Sequence, residues 1–327
     1  MRQTCLNMVY ELAQQDPRIF FIGSDLGAGT LARFKKEMPE RFLMEGVSEA
    51  HLIGMAAGLA LEGKIVYVNT ISTCLTRRCF EQIVLDLCLH QVNVRVIGNG
   101  VGVVYAPLGP THLAIDDIAI LRAVPHMTII APADSNEMKR LMPLTVDYPG
   151  PMYIRLAKGH DPIVTRDDRH LKIGKGILMR EGQDSLVVTT GVTLGLALQA
   201  ADELAKDAIE VAVLHLPTIK PLDALMLLNT AIDVPIVLTI EEHTILGGLG
   251  SAVAEVLMEG NLPARKYFKR LGLPDVFPEG YGSQAGQMQK YGISTARIVE
   301  EVRRLRKLEV AEGLREEAAL SKIVEEV

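Results

Sequence analysis

Short runs of β-branched and apolar residues alternate along the chain with longer stretches of helical pattern. RIFFIG, KIVYVNT, VNVRVIG, MTIIAP and MYIRLA are continuous apolar runs of strand length, which is how strands covered on both faces read. Between them, Glu49–Leu61, 78–89 and 135–146 carry helical spacing. Strand, helix, strand at this interval predicts right-handed crossovers and a mainly parallel sheet.

After Ala157 the pattern breaks. KGHDPIVTRDDRHLKIGKGILMREGQD is polar and turn-rich, and reads as a linker with an edge strand or hairpin. A second set follows: strand SLVVTTG, helix 193–206, strand IEVAVLHL, helix 222–229, strand VPIVLTIEEH, helix 249–258 and strand ARKYFKRLGL. The expected class is α/β, with two domains, each a mainly parallel sheet flanked by helices. The expected boundaries are a first domain over 1–160, a linker over 161–182, a second domain over 183–307 and a charged helical tail over 308–327.

Composition narrows the function classes. The chain of 327 residues is 48% hydrophobic and 23% charged, with a net charge of −6. That charge, without a basic block, argues against nucleic acid or anionic lipid as partner. No run reaches the roughly 18 apolar residues of a membrane span, and the first residues lack a signal-peptide core. Cys5, Cys74, Cys79 and Cys88 form no CxxC pair, which fits reduced thiols and a cytoplasmic location. With no Trp, the core must be built from Leu, Ile, Val, Ala and Met.

The Gly-rich pieces GNGVGVV and GGLGSA lack the spacing of a dinucleotide fingerprint or phosphate loop, and read as tight turns. Other pieces carry chemistry. Glu49 opens a helix that is apolar almost throughout, and so is either a cap or a working acid. His112, in GPTHLAIDDIAIL, sits at a loop–helix junction, placed for ligand contact or as a neighbour of the first-turn acids Asp116 and Asp117. Arg155 lies in an apolar strand and must be either salt-bridged or face a polar cavity as an anion clamp. Asp134 or Ser135 caps the helix that follows, with Glu137 in its first turn. Arg77, Arg78, Glu81 and Gln82 are charged or polar positions on a helix.

GVSEAHLIGMAAGLALEGK, TRRCFEQI, GPTHLAIDDIAILRAVPHMTIIAPAD, YIRLAKG and EEHTILGGLGSAVAE occur in this order. Together they resemble the pyrimidine-binding and C-terminal domains of transketolases, a family related to deoxyxylulose-phosphate synthases and to the β subunits of 2-oxo acid dehydrogenases. The chain is most similar to the C-terminal half of a transketolase encoded as two polypeptides, without the diphosphate-binding half and its GDG motif. The resemblance implies thiamine diphosphate as cofactor, and Mg²⁺ with its ligands on an N-terminal partner subunit rather than on this chain. It also implies a dimer of heterodimers, and two-carbon ketol transfer from a ketose to an aldehyde.

By the same resemblance, Glu49 bonds N1′ of the aminopyrimidine. There a carboxyl favours the imino tautomer, which takes the proton from the thiazolium carbon, and burial raises a carboxyl pKa in support of that proton sharing. Asp25 matches an acid near the thiazolium. Cys74, with Leu75 next to it, stands where the family stacks an aromatic ring on the pyrimidine. His112 and Arg155 match groups that contact the anionic end of the substrate. Leu108 replaces an acid that contacts a sugar hydroxyl. Arg78 and Gln82 match interface or structural positions. The set Leu108, His112 and Arg155 implies anionic sugar substrates other than the ordinary pentose phosphates. Two competing functions are a 2-oxo acid dehydrogenase β subunit and a non-catalytic paralogue.

Overall fold

The computed structural model describes residues 1–24, 31–157, 161–166 and 171–325, with side chains to 312. In chain order the strands are β1 (Ile19–Gly23), β2 (Phe42–Met44), β3 (Ile65–Ile71), β4 (Val94–Asn99), β5 (Thr128–Ile130), β6 (Met152–Leu156), β7 (Ile177–Arg180), β8 (Ser185–Thr189), β9 (Val211–His215), β10 (Thr218–Lys220), β11 (Ile236–Thr244) and β12 (Tyr267–Leu273). They form a seven-stranded sheet in the order β10-β5-β6-β4-β3-β1-β2 and a five-stranded sheet in the order β12-β11-β8-β9-β7. All neighbours pair parallel except β10 with β5 and β7 with β9. The fold is α/β, two mainly parallel sheets flanked by helices.

The continuous apolar runs are strands because both of their faces are covered. In β3, Val66 and Val68 enter one core with Leu52, Ile53 and Ile83, while Ile65 and Tyr67 enter another with Leu6, Phe21 and Phe34. Arg95 breaks the apolar run of β4 yet is fully buried. Its guanidinium donates to the carbonyls of Thr145 (2.7 Å), Gly150 (2.5 Å), Tyr148 (2.5 Å) and Val146 (3.2 Å). It thereby ties down the end of the 3-10 turn Met142–Thr145 and the bend that follows.

Differences from the sequence expectation have local causes. The helix predicted over 78–89 begins at Cys74, with wide π-type turns at Cys74–Arg78 and Ile83–Leu89 around an α turn at Phe80–Gln82. Helix 135–146 is α only over Ser135–Leu141, where Asp134 is the cap and accepts the Glu137 amide at 2.9 Å; Pro143 then tightens the chain into the 3-10 turn. The final helix, Thr295–Glu325, runs unbroken across the expected tail boundary, with Ile298, Val299, Val302 and Leu305 buried in the second core. The linker delivers β7 as an antiparallel edge strand. β2 and β10, of three residues each, were too short to be visible as runs.

The halves are joined through buried polar contacts. His215 of β9 meets Glu137 of the first half at 2.9 Å. In β11, each residue of the EEH run has its own partner. Glu241 accepts from the amides of Leu249 and Gly250 at the start of helix Leu249–Glu259 (2.6 and 2.8 Å). Glu242 crosses to the Val103 amide (2.8 Å), and the Ala119 amide lies 3.4 Å from Nε2 of His243.

Candidate functional site

Three loops leave the carboxyl ends of β2, β3 and β4 and bring together Glu49, the turn Cys74–Arg78, and Thr111 with His112. This is the end of a parallel sheet where ligand crevices form, because the chain must reverse over the strand ends. Thr73, Cys74, Arg77, Arg78, Thr111 and His112 line a cavity of about 410 Å³.

Glu49 is the first residue of helix Glu49–Leu61 and is buried. The N-cap is Ser48, which makes no side-chain cap bond, and the Glu49 carboxylate instead receives Nη1 of Arg78 at 2.5 Å. Of the two readings of Glu49, the cap is therefore set aside. That hydrogen bond holds the Arg78 guanidinium above its ordinary pKa. The Cys74 thiol is also pushed up, first by burial, with Arg78 opposing and Glu49 reinforcing the rise. Burial pushes Cys79 up to about 12, again with the Glu49 charge contributing. These thiols are protonated neighbours of a carboxylate, not nucleophiles. The helix is buried along Leu52, Ile53, Ala56 and Ala57, while His51, Gly58 and Leu61 are exposed.

The other expected site residues divide. His112 lines the cavity, its Nδ1 2.9 Å from the Thr111 hydroxyl. Arg77, expected only on a helix face, lines it too and is held by Asp116 at 2.8 Å and the Leu113 carbonyl at 2.9 Å. Leu75 does not reach it: the side chain is fully buried in the core with Leu52 and Ile83, because neighbouring residues of a helical turn point different ways. The cofactor contact expected of Leu75 is therefore corrected to a packing role. Leu108 ends the 3-10 turn Ala106–Leu108, is 52% exposed, and is not among the residues lining the cavity. Asp25 lies outside the described residues.

Arg155 needs the largest correction. Its guanidinium is buried and donates to Asp117 through Nε (2.8 Å) and Nη2 (3.2 Å), and to the Glu242 carbonyl (2.8 Å). The salt-bridge reading replaces the anion clamp, because a cation spent on a fully buried carboxylate is not available to a ligand. Asp117 also accepts from Tyr153 at 2.8 Å, and the Tyr153 hydroxyl meets that of Ser72 at 2.6 Å. Burial works to raise the Asp117 carboxyl, but the charges of Arg155 and His243 and its hydrogen bonds outweigh it and hold the carboxyl below its ordinary range. This network runs behind the cavity from Ser72, beside the lining residue Thr73, to the second half. Sequence reading named Asp117 only as a first-turn acid. The available signal was Arg155, a lone cation in an apolar strand that needs a counter-charge, with the Asp116–Asp117 pair among the candidates.

The chain as a whole is similar to known proteins. Residues 1–162 match the family model of the transketolase pyrimidine binding domain, and residues 174–298 match that of the transketolase C-terminal domain. A 6-deoxy-6-sulfo-D-fructose transketolase subunit of Clostridium sp. (strain MSTE9) is 36% identical over 91% of this chain and 92% of its own. One of the subunits of an apulose-4-phosphate transketolase, from Phocaeicola vulgatus, is 36% identical over 84% of this chain and 87% of its own. A solved structure described as a split gene transketolase, inactive beta4 tetramer, superposes with a TM-score of 0.86 at 33% identity, covering 94% of this chain and 98% of that one. The chain belongs to the transketolase family, as a subunit of the split type that carries the pyrimidine-binding and C-terminal domains.

Proposed function

We propose that the chain is the C-terminal subunit of a two-polypeptide, thiamine diphosphate-dependent enzyme that transfers a two-carbon ketol unit, with Glu49 as its proton-handling residue. The observation that carries this reading is a carboxylate buried at a helix start beside a cavity, making no structural cap. The strand ends offer further polar atoms that fit a ring ligand: Ser24 Oγ, Thr70 Oγ1 and Asn99 Oδ1 are buried and without partners among the described residues, at the carboxyl ends of the adjacent strands β1, β3 and β4. When bound, thiamine diphosphate supplies a carbon acid that forms a bond to the donor carbonyl and stores the resulting electron pair. Glu49 holds a proton at the ring nitrogen and so biases the tautomer that acts as internal base. The protonated thiol of Cys74 keeps that side of the cavity apolar in place of an aromatic ring.

The diphosphate and Mg²⁺ are assigned to an N-terminal partner subunit, because the sequence lacks the GDG motif that holds them. The split relatives support this, and the inactivity of a tetramer of one chain type fits a site completed by a second chain. We assign the assembly to a dimer of heterodimers. With Arg155 committed to Asp117 and Arg77 to Asp116, the lining groups left to receive an anionic sugar are His112 and Thr111; the two relatives named above act on a sulfonated and a phosphorylated sugar. The test is reconstitution with the partner. Glu49→Gln should leave assembly intact while hydrogen–deuterium exchange at the thiazolium carbon slows by about two to four decades. Near-normal exchange in the assembled variant would remove Glu49 from the reaction.

A further inference from the structure

The ion pair between Glu49 and Arg78 is lopsided. The carboxylate side chain is 2% exposed and the guanidinium side chain 52%. Glu49 is fixed by the helix it opens, whereas Arg78 hangs from the last position of a π-type turn at the cavity wall. Such turns often mark functional positions. The titratable and charged groups shown to act on the carboxylate are Arg78 and Cys74 of that turn and Cys79 directly after it.

Two requirements on Glu49 conflict. In the free chain a buried carboxylate needs a cation, since an unpaired one is strongly destabilising. In the bound state proposed above, the carboxyl shares a proton with a neutral ring nitrogen, and a guanidinium at 2.5 Å opposes that form. We infer that Arg78 is a positioning residue acting through Glu49 as a displaceable counter-ion. It keeps the carboxylate paired and covered in the free subunit, and gives it up when the aminopyrimidine nitrogen arrives. Arg78 is the member that moves, because its long, half-solvated side chain can leave for water at little cost. The exchange draws one proton from solvent onto the Glu49 carboxyl. It also lowers apparent cofactor affinity by the fraction of molecules whose pair is open.

This inference rests on the reading of Glu49 given above, and one experiment separates the two. The enzyme reconstituted with its N-terminal partner is titrated with thiamine diphosphate at fixed Mg²⁺ by calorimetry, in two buffers of different ionisation heat, so that affinity and proton uptake are both read. Wild type should take up close to one proton near pH 8. Arg78→Met should cut that uptake by at least half and bind about 3–10-fold tighter, and Arg78→Lys should restore wild-type behaviour. Arg78→Gln is expected to match Arg78→Met and serves if the latter fails to assemble. Glu49→Gln should abolish the uptake. Assembled Arg78→Met and Arg78→Gln enzymes that bind cofactor tenfold more weakly, or take up protons as wild type does, would overturn the counter-ion role while leaving Glu49 in place. A Glu49→Gln enzyme unchanged in affinity and uptake would instead remove Glu49 from the cofactor, and the inference with it.

Discussion

Arg155→Met decides between the salt-bridge role seen here and the ligand role that the sequence also allowed. The substitution keeps most of the volume of the side chain and removes its charge. Asp117 would then stay buried with, among the described residues, Tyr153 (2.8 Å) and His243 (3.7 Å) left near its oxygens. The Glu242 carbonyl would lose its 2.8 Å donor as well. Breaking a buried pair by removing one partner costs about 3–5 kcal/mol. In domains of this size that is a fall in melting temperature on the order of 10 °C. The double variant Asp117→Asn/Arg155→Met should recover part of the loss, since the stranded charge is gone; a mutant cycle by urea unfolding reads the coupling. If Arg155→Met changed stability by less than about 0.5 kcal/mol while raising KM for the anionic substrate, the guanidinium would be facing a ligand and the network described here would be wrong.

Two further outcomes follow from buried charges. Burial pushes the Glu242 carboxyl from its ordinary 4.5 up to about 7, against Arg155 and the donors Val103 and Gln284. A carboxyl raised in the folded state contributes stability that is full below pH 4.5 and is lost as pH rises through about 7. Unfolding measured across this window should show a decline of about 3 kcal/mol, and Glu242→Gln should flatten it; an unchanged slope in the variant would assign the decline to other groups. Arg95→Met should cost at least about 3 kcal/mol in urea unfolding, because four carbonyls lose one charged donor; a loss near zero would mean the bend at 145–150 is held by other contacts.

What could be read from the sequence divides along physical lines. Long apolar runs announced the central strands because burial on both faces leaves a continuous signature, as in β3. β2 and β10, with three residues each, leave none. Glu49 stood out because an acid at the head of an apolar helix has few roles open to it. Its partner did not: Arg78 is half exposed, and among other charges on a helix face nothing in one dimension marks which of them folds back onto an acid 29 positions earlier. Arg155 was recognised as anomalous, but an isolated buried cation reads the same whether its counter-charge is a ligand or another side chain. Leu75 and Cys74 are adjacent in sequence and were treated together. The turn they share sends one into the core and leaves the other at the cavity.

β10 leaves the second half of the chain directly after β9 and pairs antiparallel along β5, at the outer margin of the first sheet. A fragment ending at the first family-model boundary would lack it. Its β5 margin would present unpaired amides and carbonyls to solvent, the kind of template that recruits other strands. The pyrimidine-binding half is therefore not a portable module: excised alone, it carries an open seam that favours aggregation. A fragment meant to isolate it must keep the Thr218–Lys220 segment, whether by fusion or as an added peptide. The two halves of this polypeptide are in this sense one folding unit: β10 closes the first sheet, and Val103, Leu113 and Ala133 of the first half share a core with Val187, Leu194 and Ile236 of the second.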